Sequence, residues 1–209
     1  MNKRKAKKET EIKPKRKAKI NRNTTETQIQ LELNLDGTGK YEIQTGIGFL
    51  NHMLEIFSNN SLIDLKLKAK GDIEVDEHHL LEDIGICIGQ ALNEALGDRK
   101  GINRAGFFAY PMDEALSIAS IDFSGRPNLK FKAKFRRRYC GGLDLDLMED
   151  FFKGFSDNSK SSLHILMAYG RNDHHKIEAI FKAFGKAVKM AVSKDKKIQG
   201  IIPSTKGLL

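Results

Sequence analysis

The 209-residue sequence predicts an α+β fold of two internally duplicated half-domains, each an antiparallel sheet with helices packed on one face. Two observations carry that prediction. The phrase His-His-x-x-Glu occurs at His78-His79-x-x-Glu82 and again at His174-His175-x-x-Glu178, each time opening a long helical pattern. Alternating strands precede it in both halves, and each half ends as helix, strand and phrase-bearing helix. The folded part is expected over residues 16–209, with pseudo-repeats at about 16–100 and 101–209. Residues 1–15 are Lys-rich and poor in apolar side chains, which predicts a disordered basic tail.

Order is expected to begin near Ile20. Ile29, Leu31, Leu33 and Leu35 alternate with Gln28, Gln30 and Glu32, which predicts a strand with one buried face. Glu26 lies on the polar side just before it. Asp36-Gly37 reads as a hairpin turn, with Tyr41, Ile43 and Thr45 on the returning strand. Thr45-Gly46-Ile47-Gly48 breaks the pattern. Phe49, Leu50, Met53, Leu54 and Phe57 then fall at helical spacing, with His52 off that stripe. Residues 63–69 alternate again, and the first phrase starts a helix that runs to Gly97. Gly85 and Gly89 on it predict close packing against another element. In the second half, 107–110 and 116–123 form a hairpin through Pro111-Met112-Asp113-Glu114, and 129–135 form a strand. Residues 145–155 form an amphipathic helix, and 163–169 a strand whose far face carries His164. The second phrase opens a helix reaching Val192.

Four of the six histidines lie in the two phrases, and His52 and His164 precede one copy each. Neighbouring helical residues point about 100° apart, so two adjacent histidines do not chelate one ion. His78 and Glu82 share a face, as do His174 and Glu178. Six imidazoles and two carboxylates suffice for two sites of three His and one Glu. That donor chemistry suits Mn, Fe, Zn or Ni with positions left for substrate. One His pair alone would read as a solvated helix start; two in register with Glu favour metal.

The net charge of +9 lies in the tail. Residues 1–22 hold eleven Lys/Arg and two Glu, and the remainder carries 25 basic and 25 acidic residues. The folded body therefore gives no nucleic-acid signal, and weak binding by the tail is the minority reading. Cys87 and Cys140 read as reduced thiols of a cytoplasmic protein. No apolar run approaches membrane-spanning length, and no secretory h-region opens the chain. Arg104, Arg126 and Ser204-Thr205-Lys206 have the chemistry of anion contacts and suggest a small phosphorylated ligand.

Taken together, these stretches resemble the imidazoleglycerol-phosphate dehydratase family. The resemblance rests on Arg22-x-Thr24-x-Glu26-Thr27, Thr45-Gly46-Ile47-Gly48-Phe49-Leu50-x-His52-Met53-Leu54, His78-His79-x-x-Glu82-Asp83, Pro111-Met112-Asp113-Glu114, Ser124-Gly125-Arg126-Pro127, Leu163-His164-Ile165, Asn172-x-His174-His175-x-x-Glu178-Ala179 and Pro203-Ser204-Thr205-Lys206-Gly207. It implies a hydro-lyase of histidine biosynthesis that dehydrates imidazoleglycerol phosphate, with two Mn²⁺ per active site. The implied metal ligands are His52, His78, His79, Glu82, His164, His174, His175 and Glu178. The implied substrate contacts are Glu26, Arg104, Arg126, Ser204 and Lys206. Glu26 is the leading carboxylate for proton transfer, because Glu82 and Glu178 are less free when bound to metal. The resemblance also implies a homo-oligomer of 24 subunits, built from trimers with shared active sites. Two positions depart from the pattern. Asn51 replaces an Asp expected to orient His52 or a neighbouring ligand, and Leu80 replaces a Thr. The rival classes are an RNA-binding or metal-storage module without turnover, and a metal-dependent hydrolase.

Overall fold

A computed structural model describes residues 16–208. The basic tail expected at 1–15 lies outside the described residues. The first half runs β1 (Lys17–Asn23), β2 (Thr27–Asn34), β3 (Tyr41–Gln44), α1 (Gly48–Ser61), β4 (Asp64–Gly71) and α2 (His78–Leu96). The second runs β5 (Ala105–Met112), β6 (Ala115–Asp122), β7 (Asn128–Lys132), a short hairpin β8 (Tyr139–Cys140) and β9 (Leu143–Asp144), α3 (Met148–Ser159), β10 (Ser162–Tyr169) and α4 (Asp173–Val192). The sheets have orders β1-β2-β4-β3 and β5-β6-β10-β7, so the topology repeats.

The sheets are mixed, not purely antiparallel as the sequence suggested. β3 runs parallel to β4 and β7 parallel to β10, and the remaining pairs are antiparallel. Parallel neighbours need a crossover, and α1 and α3 supply it. For the same reason Asp36-Gly37 does not close a β2–β3 hairpin: β4 lies between those strands. The loop instead folds over Asp64 at the start of β4, whose Oδ1 accepts from Thr38 N at 2.8 Å and Lys40 N at 3.0 Å. The partner of β2 in a hairpin is β1, which the sequence reading missed. Its charged residues mask the pattern, and Ala18 is its one fully buried side chain.

The four helices lie between the two sheets. α1 and α2 cover the first sheet, α3 and α4 the second, and α2 packs on α3 while α1 packs on α4. The expected close approach at Gly85 and Gly89 is present. A Cβ on Gly85 would stand 2.2 Å from Phe151 O, and one on Gly89 2.6 Å from Phe155 O. Gly185 of α4 meets Phe57 and Asn60 of α1 in the same way. Phe57 and Phe184 stack with ring centroids 4.9 Å apart at the core of the second pair.

The outer faces of the sheets differ. Lys19, Gln30, Glu32, Glu42, Lys66 and Lys68 cover the first. On the second, Phe107 is 58% exposed and Leu166 43% exposed, and His164 lies in the cross-strand row of Phe107 through Ser120, two residues before Leu166 on β10. Among the described residues no helix is long and apolar enough to cross a membrane.

Candidate metal and active site

Both phrases sit at helix starts and are held there from several sides. At α2, His78 N–H donates to Asp76 Oδ1 at 2.7 Å. Asp83, next in sequence to Glu82, is buried; it accepts from Thr27 Oγ1 and pairs with Arg22 Nη2 at 2.7 Å, tying α2 to β1 and β2. Hydrogen bonding to Asp83 raises the pKa of Arg22, which stays charged. At α4, the Asn172 side chain caps the helix by accepting from His174 N at 3.0 Å. Asp173 is buried against the Lys176 ammonium at 2.8 Å and accepts the Arg136 and Arg137 N–H groups.

The tightest cluster joins α1 to α4. One ligand atom each from His52, His174 and Glu178 lies within 4.8 Å of the others. His174 Nε2 is 3.3 Å from Glu178 Oε2, the i,i+4 pairing that the spacing predicted. Lys182 Nζ, one turn further on, holds Glu178 Oε1 at 2.6 Å. Burial pushes the Glu178 pKa up, but the Lys182 ammonium outweighs it and keeps the carboxyl below its ordinary range. The sequence reading did not single out Lys182. The first phrase shows a looser counterpart, in which His78 Nε2 is 3.8 Å from Glu82 Oε2 and His78 Nδ1 is 3.8 Å from Asp150 Oδ2 of α3.

The second histidine of each phrase points elsewhere. His79 lies between Asp72, 3.3 Å from Nδ1, and Glu26, 3.9 Å from Nε2. The hydrogen bond to Asp72 raises its pKa. His175 lies between Glu114, 2.7 Å from Nδ1, and Asp113, 3.7 Å from Nε2. The His175 bond, reinforced by the Asn172 N–H, lowers the Glu114 carboxyl to about 2. Asp72, Asp113, Glu114 and Asp150 carried no repeated pattern in the sequence.

The remaining candidates are held by other contacts. Arg104 grips Asp122 through Nε at 2.7 Å and Nη2 at 2.9 Å, and its Nη1 donates to Pro203 O at 2.9 Å. The segment carrying Ser204 and Lys206 is thus tied to the end of β6, on the outer face that also bears His164. Arg126 bonds locally to Ser124. Among the described residues, no hydrogen bond or ion pair links Arg104, Arg126, Ser204, Lys206 or His164 to the phrase histidines. Asn51 is engaged by Thr45, whose N–H and Oγ1 both donate to its Oδ1, at 2.9 and 2.7 Å. Its side chain therefore fixes the turn before α1 and not the ring of His52. Leu80 is buried and packs on Gly71.

The family model for imidazoleglycerol-phosphate dehydratase matches residues 45–188. The imidazoleglycerol-phosphate dehydratase of Koribacter versatilis is 52% identical over 174 residues, 83% of this chain and 89% of that protein. That of Hydrogenovibrio crunogenus is 53% identical over 174 residues, with the same coverage. The crystal structure of the Staphylococcus aureus imidazoleglycerol-phosphate dehydratase superposes with a TM-score of 0.78 at 40% identity, over 86% of this chain and 99% of that one. The Pyrococcus furiosus structure, solved in complex with (S)-C348, gives a TM-score of 0.78 at 34% identity, over 91% of this chain and 100% of that one.

Proposed function

The chain belongs to the imidazoleglycerol-phosphate dehydratase family and is a hydro-lyase of histidine biosynthesis, and from that premise we propose that it dehydrates D-erythro-imidazoleglycerol phosphate to imidazole acetol phosphate with manganese. The observation that carries the metal dependence is the convergence of His52, His174 and Glu178 within 4.8 Å. Two imidazoles and a carboxylate fit a divalent first-row ion with open positions. His78, Glu82, His79, His164 and His175 supply the remaining donors: one His completes the first site, and the others form the second, with His78 and His79 serving different ions. Bound manganese supplies a Lewis acid and template for the substrate imidazole.

The chain's own groups do the rest. Glu26 is exposed, stands 3.9 Å from His79 Nε2 and lies outside the tight donor cluster. It is the group to take up the carbon-bound proton and return one to the departing hydroxyl. Glu178 is already tied to Lys182 and His174, and Glu82 faces His78, which suits both to ligation over shuttling. Arg104 uses three N–H bonds on Asp122 and Pro203 and keeps two N–H groups for a phosphate. Ser204, Lys206 and Arg126 complete that grip.

We further propose that each active site is shared between copies, in a shell of 24 subunits built from trimers. In support, among the described residues no hydrogen bond or ion pair joins Arg104, Arg126, Ser204, Lys206 or His164 to the helix-start histidines. The face bearing His164 also carries exposed Phe107 and Leu166, apolar surface of the kind that subunit contacts cover. A cytoplasmic location agrees with the two free thiols, Cys87 and Cys140. Stripping the protein with a chelator and reloading it with Mn, Fe, Zn or Ni tests the metal assignment: manganese is expected to give the highest turnover. Undiminished turnover in the metal-free protein would reject it.

A further inference from the structure

Glu26 and Glu114 hold duplicate places in the fold. Each immediately precedes the second strand of its sheet, β2 or β6. Each faces the second histidine of a phrase, yet from different sides: Glu26 is near Nε2 of His79, and Glu114 bonds Nδ1 of His175. The residue after β4 accounts for the difference. In the first half it is Asp72, whose carboxylate oxygens both lie 3.3 Å from His79 Nδ1. In the second half the residue after β10 is Gly170, and a Cβ there would stand 2.8 Å from the Ala115 Cβ and 2.9 Å from the Lys176 Cγ. A side chain there would require Ala115 or Lys176 to shift, and the second half carries no counterpart of Asp72.

We propose that Asp72 and Glu114 are positioning residues that fix the rings of His79 and His175, and that Asp72 thereby leaves Glu26 on the open Nε2 side. This rests on the metal reading above. A carboxylate accepting the Nδ1 proton sets the tautomer, turns the Nε2 lone pair outward and makes that nitrogen more basic. Glu114 also accepts the N–H groups of Arg171 at 3.1 Å and Asn172 at 2.7 Å, locking the turn into α4 against the ring it orients. Asp72 has a simpler task, since its side-chain hydrogen bonds go to His79. Asp150, at 3.8 Å from His78 Nδ1, is beyond direct hydrogen-bond distance and is not included.

The test is Mn²⁺ titration of the full-length assembled protein, followed by the electron paramagnetic resonance signal of free and bound ion. Asp72→Ala and Glu114→Gln are compared with the wild type, and circular dichroism melting is recorded for each. Gln at 114 keeps an acceptor for Arg171 and Asn172 but loses the charge. Each variant is expected to bind at least one Mn²⁺ per chain about 10- to 100-fold more weakly, with an altered bound-ion spectrum and unchanged melting. Asp72→Glu is expected to recover part of the loss. Wild-type affinity and spectrum in Asp72→Ala would overturn the proposal even where Glu114→Gln is too unstable to assay. A wild-type protein that binds no Mn²⁺ would overturn the metal reading itself, and the proposal with it.

Discussion

At the scale of the residue, chemistry here depends on which nitrogen of an imidazole faces which carboxylate. Glu26 stands on the Nε2 side of His79 without the ammonium partner that holds Glu178. Glu26→Gln is therefore expected to retain its manganese and lose turnover by about 10²- to 10⁴-fold. Metal analysis beside steady-state kinetics separates the two effects, and near-normal kcat would remove Glu26 from proton transfer. Asn51 makes the opposite case. Its Oδ1 accepts two bonds from Thr45, which an Asp oxygen accepts equally well. Asn51→Asp is expected to leave kcat and Mn²⁺ affinity within about twofold, because the acceptor role survives the exchange. A large change in either would mean that position 51 acts on the site and not on the turn.

At the scale of the element, the helix pairs set the geometry. The Glu82 and Glu178 helices approach their neighbours so closely that glycine is required at the crossings. Gly85→Ala gains roughly 1 kcal/mol in helix propensity but forces a methyl onto the Phe151 carbonyl. The clash should win, with a net loss of about 2 kcal/mol, or roughly 4–8 °C in Tm by calorimetry. The loop after β2 depends on Asp64. Burial alone would raise that carboxyl, but the Thr38 and Lys40 N–H groups and the Asn34 amide outweigh it and hold its pKa below the ordinary 3.8. A depressed carboxyl stabilises the fold above its unfolded value, and that contribution fades as pH falls below it. Asp64→Ala should cost about 1–2 kcal/mol at neutral pH, and the gap from wild type should narrow as pH drops below 3.8. A gap that widens in acid would contradict this assignment. The elements differ in how plainly the sequence shows them. Helix periodicity, the paired phrases and Gly85 were legible because one face of each pattern is buried. β1 was hidden because it is an edge strand whose side chains are largely exposed. The β2–β3 hairpin is absent although Asp36-Gly37 satisfies a local turn rule, because β4, opening at Asp64 about thirty residues on, inserts between the two strands. Asp72 and Glu114 are not legible as positioning groups, because a single carboxylate carries no period.

At the scale of the whole molecule, one chain divides its chemistry. The phrase histidines open α2 and α4, while His164, Arg104 and the 203–206 segment belong to the outer face of the second sheet. Phe107→Lys and Leu166→Glu each replace an exposed apolar side chain of that face with a charge. On the proposed sharing of sites between copies, either is expected to reduce particle size in light scattering and to lower turnover with it; a small, fully active species would refute sharing. The most direct test of the central claim is formation of imidazole acetol phosphate by purified protein, stripped and reloaded with Mn²⁺, beside His79→Ala. Turnover that requires the metal and disappears in the variant is the predicted result. A folded, manganese-loaded wild-type assembly with no turnover would contradict it.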